Sequence, residues 1–181
     1  LIITNSIKMG DQLESYVRIF AKLLKENMNC PNEISTQTKE GTFAEEESQF
    51  SELARIATRQ DLSRESKIRL LTKPRLSNLR KFVRAYAEEI DGTCEDLIYG
   101  YILLCRLLKT TQWCCQTTNW KILVILSLNI GRKMQEQTFL SAGHLHDLYP
   151  IYSTQDYLNL ERLFLSLVDY RCHATREDFI A

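Results

Sequence analysis

Lys133 and Glu161 are the residues of this chain whose type and setting most demand a partner. Lys133 closes the apolar stretch from Ile122 to Ile130, and Glu161 interrupts the run from Tyr157 to Leu165. An ionised side chain on a buried face is costly unless an opposite charge or polar groups meet it. Opposite signs on neighbouring helical runs therefore predict an ion pair, held near a surface that another molecule covers. The plainer alternative is that each side chain snorkels its charge to water.

Nucleophilic and metal chemistry find less support. Cys30, Cys94, Cys105, Cys114, Cys115 and Cys172 form no C-x-x-C pair and no finger spacing. They read as reduced thiols of an intracellular protein, in a chain too long to need a disulfide framework. His144 and His146 are two residues apart, which on a helix points them to different faces, and no H-E-x-x-H spacing is present. No metal and no cofactor are expected. A Cys–His pair such as Cys172 with His173 or His144 would need a turn that aims the thiol. Adjacent side chains point apart and no Gly-rich nucleophile turn is present, so no catalytic residue is expected.

Composition narrows the partners. Lys plus Arg equals Asp plus Glu, 23 of each, so the whole chain carries no footprint for nucleic acid or for an acidic membrane. With 181 residues and 44% hydrophobic content, the chain can bury a real core. Six Gly and three Pro leave few turn signals, which favours helices over many short strands. No secretory signal and no run long enough for a membrane helix is visible, so a cytoplasmic and/or nuclear location is expected. The first residue is not Met, which leaves a lipid anchor ahead of it open.

The elements that must position the two charges follow from periodicity. Leu13, Val17, Phe20, Ala21 and Leu24 predict a helix over about 12–27, with Asp11 as cap and Glu14 completing a capping-box pattern. A second helix is expected over 44–59, with Phe50, Leu53, Ile56 and Ala57 on one side. Residues 60–78 are polar and basic, are broken by Pro74, and read as a linker or strap. Five helices follow, at about 79–90, 94–109, 119–134, 138–147 and 155–168, with Asp91-Gly92 as a stop and Thr93, Thr118 and either Ser153 or Thr154 as caps. The third is apolar nearly all round, which marks a central helix, and its Ser127 and Gly131 form a small-residue stripe for close approach. The fold class is all-α.

That order of helices, with several short motifs, resembles a cyclin box. Leu103 to Leu108 (LLCRLL) sits where cyclins carry L-x-R-L-L on their second helix. Asn119-Trp120-Lys121, followed by the run to Lys133, is similar to the N-W-K…K third helix of the cyclin Y subfamily. Leu160 to Leu165 (LERLFL) and Val168 to Tyr170 resemble the fifth helix and its exit, and Phe82-Val83-Arg84 resembles the subfamily's F-V-R opening. The spacings match from Phe82 to Tyr170, about half the chain. The resemblance divides the chain into an N-terminal helical extension, 1–78, and a five-helix cyclin box, 79–181. It implies that a fragment starting near Arg75 folds by itself.

The resemblance also implies a function: a regulatory subunit that binds a cyclin-dependent protein kinase, a PCTAIRE-like one being a candidate, and positions its C helix. The invariant Lys and Glu of the cyclin surface fall on Lys133 and Glu161, the following acid on Glu136, and apolar kinase contacts on Met134, Leu165 and Tyr170. The sequence departs from the family at Cys105, where an acid precedes the Arg, at Leu158, where an Asn is usual, and at Gln137. No second box is expected, and single-box cyclins, of the cyclin Y and yeast phosphate-regulon groups, resemble the chain best. The alternative is a cyclin-fold adaptor or transcription-factor-like module that binds no kinase.

Overall fold

A computed structural model describes residues 2–28, 44–135, 140–175 and 178, and among these every regular element is helical. Helix α1 (Ile2–Asn27) starts ten residues before the expected bound. Asp11 therefore lies inside the helix. Glu14 caps nothing and instead binds Arg18 at 3.0 Å and Arg80 at 2.5 Å. Val17, Phe20, Ala21 and Leu24, at i, i+3, i+4 and i+7, are buried in the core.

The helix expected over 44–59 is two helices, α2 (Ala44–Gln49) and α3 (Leu53–Thr58). Tertiary contacts break it between them: Phe50 is fully buried, and the Glu52 backbone N–H donates to the Thr118 carbonyl at 2.7 Å. The segment 60–78, expected as a linker, contains α4 (Arg64–Leu71), whose first turn is held by the Ser63 hydroxyl accepting from Ser66 N–H. Its apolar face is weak, with Ile68 exposed, so periodicity gave little sign of it.

From Leu76 onward the five expected helices are present near their expected bounds. Helix α5 (Leu76–Glu89) ends where Asp91 takes a positive φ of 50° and Gly92 N–H returns to the Ala87 carbonyl. Helix α6 (Cys94–Thr111) opens on the Thr93–Asp96 capping box. Helix α7 (Trp120–Gln135) has Trp120 through Arg132 all buried, as a central helix must. Its entry is organised by Asn119, whose Oδ1 accepts from Gln116 N–H at 2.7 Å; Thr118, the expected cap, spends its carbonyl on Glu52. Helix α8 (Ala142–Leu148) is capped by Ser141, and α9 (Thr154–Leu167) by the Ser153–Asp156 capping box. Residues 138 and 139, where the fourth of these helices was expected to begin, lie outside the described residues.

Close approach of α6 and α7 depends on two glycines. A Cβ on Gly131 would sit 3.0 Å from the Gly100 backbone nitrogen, and one on Gly100 would sit 2.5 Å from a Leu128 methyl. That contact sets α7 against α6, and α7 also packs on α9 and, through Phe82 and Trp120, on α5. One hydrophobic cluster joins α1, Phe50 and the helices from α5 to α9. The boundary drawn at residue 78 therefore does not coincide with a gap in the core, and the extension is part of the same packed unit.

Candidate functional site

The C-terminal end of α7 meets α9 at the two charges singled out above. Lys133 Nζ donates to both carboxylate oxygens of Glu161, at 2.6 and 2.7 Å. The side chains keep 26% and 19% of their surface open, so the pair is neither sealed in the core nor free in water. Met134 follows Lys133 and is exposed. Leu165 lies one turn beyond Glu161 on the same face of α9 and is half-buried. Glu136 lies outside the described residues.

Tyr170 leaves α9 in an uncommon way. Asp169 and Tyr170 both adopt left-handed backbone, with φ of 56° and 53°, and Tyr170 N–H donates to the Leu165 carbonyl at 2.8 Å. Left-handed backbone costs a non-glycine residue about 1–2 kcal/mol. Tyr170 recovers little of it by burial, since the residue is 69% exposed. Tyr170 and Met134 are exposed apolar groups of this end of the molecule, Met134 directly following Lys133 in sequence and Tyr170 following the helix that carries Glu161.

Two further charge clusters anchor α7. Lys121 Nζ approaches Glu52 Oε2 at 3.4 Å and the Tyr149 hydroxyl at 3.1 Å, while that hydroxyl donates to the same Oε2 at 3.0 Å. Glu52 Oε1 is buried without a hydrogen-bond partner. Burial pushes the Glu52 carboxyl above the usual glutamate range, with Lys121 and Tyr149 pulling the other way. Near the other end, Arg132 reaches Asp96 Oδ2 at 3.2 Å and the Asp91 carbonyl at 3.1 Å, so the acid that caps α6 also neutralises α7. The sequence reading missed Glu52 altogether. The signal was Lys121, a cation at the start of a helix otherwise read as buried all round.

The positions that depart from the family pattern find other partners. Cys105 shares a hydrogen bond with Tyr101, and burial pushes its thiol up. Arg106 turns to the C-terminal segment, donating to the carbonyls of Arg171 and His173 and to Asp178. Leu158 is exposed on α9, and Gln137 lies outside the described residues. Thiol chemistry has no foothold at Cys172: it is buried, and burial raises its thiol, the reverse of what activates a nucleophile. The rings of His144 and His146 are engaged locally, His144 with the Ser141 hydroxyl and His146 with the Tyr152 carbonyl. Among the described residues no helix is long and apolar enough to cross a membrane.

No family model, no curated protein sequence and no solved structure matches the chain.

Proposed function

We propose that this chain is a single-box cyclin-type regulatory subunit that binds a cyclin-dependent protein kinase and holds the kinase's C helix in its active position. The reading rests on one observation. Lys133 and Glu161, which the cyclin resemblance assigns to the kinase surface, meet at 2.6 Å while a quarter and a fifth of their surface stay open. A kinase helix docking there would complete the desolvation of the pair and supply backbone groups to its remaining lone pairs and protons. Met134, Leu165 and Tyr170 would provide the apolar rim, and Glu136 an acidic contact beyond it.

Activation would be allosteric, with no reacting atom contributed by this chain. An active kinase needs the ion pair between its β3 lysine and its C-helix glutamate. A rigid helical module that binds only the helix-in state draws the population towards that state, by as much as its affinity for the two states differs. The α6–α7 packing at Gly100 and Gly131 would supply the rigidity. The direct test is capture of a cyclin-dependent kinase, a PCTAIRE-like one first, by the full chain, with phosphoryl transfer measured with and without it. A folded chain that binds none of these kinases would leave the surface to a non-kinase adaptor role.

A further inference from the structure

The segment that follows α9 runs against the C-terminal half of α6, and a cavity of about 660 Å³ lies between them. Its volume falls within the roughly 300–1,000 Å³ of sites that hold small ligands. Tyr101, Ile102 and Cys105 form the less polar part of the α6 wall. Ile102 is buried there. Burial raises both the Cys105 thiol and the Tyr101 hydroxyl, which share a hydrogen bond, so both stay neutral at neutral pH.

Three cations and one acid line this cavity: Arg106, Lys109, Arg171 and Asp178. Arg106 ties the two walls together. It donates to the Arg171 carbonyl, to the His173 carbonyl at 3.2 Å and to Asp178 at 2.9 Å. Asp178 also accepts from the N–H and the hydroxyl of Thr175, at 2.7 and 3.0 Å, contacts that hold its carboxyl below the usual range. The acid is therefore ionised and fully engaged, and two cations remain. Lys109, on the α6 wall, is exposed and enters no ion pair among the described residues. Arg171, on the other wall, has only Asp169 at 3.8 Å, with 66% and 82% of the two side chains open, a pair too exposed to neutralise it. The Arg171 backbone is nevertheless fixed by Arg106. Two cations on separate walls of one hollow, over a neutral floor, form a recognition feature that a folded core does not require.

We infer that this cavity binds a small dicarboxylic acid whose two carboxylates are separated by an apolar body. One carboxylate meets the Lys109 ammonium, and the other takes the planar fork of Arg171, which suits a carboxylate in bidentate fashion. The apolar body lies on Tyr101, Ile102 and Cys105. Placement of the two cations on different walls favours two spaced acids over one compact dianion such as a phosphate. Nucleic acid is excluded by number, since its binding proteins make roughly 6–10 phosphate contacts. The cavity shares no residue with the proposed kinase contact, and the inference does not rest on that reading.

The test titrates the full chain by calorimetry with four probes: 1,4-phenylenediacetate, its dimethyl ester, phenylacetate and phenyl phosphate. The diacid should bind about tenfold or more tighter than the monoacid, and the ester should not bind. Lys109→Gln or Arg171→Gln alone should bring the diacid down to the level of phenylacetate, and the two together should abolish binding of both. Thr110→Trp, an exposed residue of the lining, crowds the cavity without changing charge and should weaken the diacid as well. All these variants should melt with the parent, since each replaces an exposed side chain. A diacid that fails to bind the parent at millimolar concentration would overturn the inference. So would equal binding to the parent and the doubly substituted chain, which would mark a diffuse ion atmosphere. Phenyl phosphate binding more tightly than the diacid would overturn it too, by showing that both cations converge on one compact anion.

Discussion

Helix α7 carries a Lys–Glu pair near each end, about 18 Å apart, and the two are built on different principles. Lys121 and Glu52 lie almost wholly out of water, with 10% and 0% of their side chains open, at 3.4 Å, with Tyr149 as third member and one carboxylate oxygen left over. Lys133 and Glu161 are half-open, share both oxygens, and sit at 2.6 and 2.7 Å. The buried pair joins the N-terminal extension to the central helix, while the Tyr152 hydroxyl on the Phe50 carbonyl and Arg55 on Asp156 join the extension to α9 and the turn before it. The open pair joins two neighbouring helices at an edge. A buried pair is strongly destabilising to break because the survivor is stranded, whereas a half-open one strands a charge that water can still reach. One is placed to hold the chain together. The other is placed to be covered.

The largest expected effect follows from the buried end. A fragment beginning at Arg75 removes Val17, Phe20, Leu24, Phe50 and Glu52, strips one side of the core and leaves Lys121 buried without its carboxylate. It should unfold without a cooperative transition in thermal circular dichroism, contrary to the independence expected from the sequence. A sharp transition in the fragment would mean that the extension only decorates residues 79–181.

Next comes the single change Glu52→Ala. It should cost about 3–5 kcal/mol, which for a chain of this size is a fall in melting temperature of roughly 10 °C or more. Glu52→Leu combined with Lys121→Met should recover most of that loss, since a well-packed apolar pair can replace a buried ionic one. An Ala variant melting with the parent would contradict the assignment of Glu52 to the fold.

Lys133→Ala and Glu161→Ala should behave in the opposite sense. Each should lower stability by no more than about 1 kcal/mol, because the pair is partly screened. Affinity for the proposed kinase should drop by about 2–5 kcal/mol, from about thirtyfold to several thousandfold. Calorimetric melting alongside a kinase titration separates the two quantities. Loss of stability with unchanged kinase affinity would make the two pairs alike and remove the proposed interface.

The smallest effect concerns pH. With its folded carboxyl raised by burial, Glu52 holds its proton more tightly in the folded than in the unfolded chain. Its titration therefore lowers stability as pH rises from the ordinary glutamate value, about 4.3, through the raised folded value, and adds nothing above it. Measured against Glu52→Gln across that interval, the parent should lose ground as pH rises. A parent that gains ground would show that attraction to Lys121 outweighs desolvation.

Helical periodicity and the capping residues determined the all-α class and the five helices from Leu76 onward to within a few residues, because both signals are local. The need of Lys133 and Glu161 for a partner was legible for the same reason: a charge inside an apolar run stands out, and the two lie 28 residues apart on adjacent helices. Tertiary structure decided the rest. Glu52 looked like one more polar residue on a surface helix until Thr118 and Lys121, the latter 69 residues away, drew it inward and broke that helix in two. Helix α4 lay hidden in a basic stretch because its apolar face is slight, and no local signal showed that α1 shares the core of the helices after residue 78. A sequence displays which side chains need neutralising or burying, but the partner that satisfies each need is set by the packing of the whole chain.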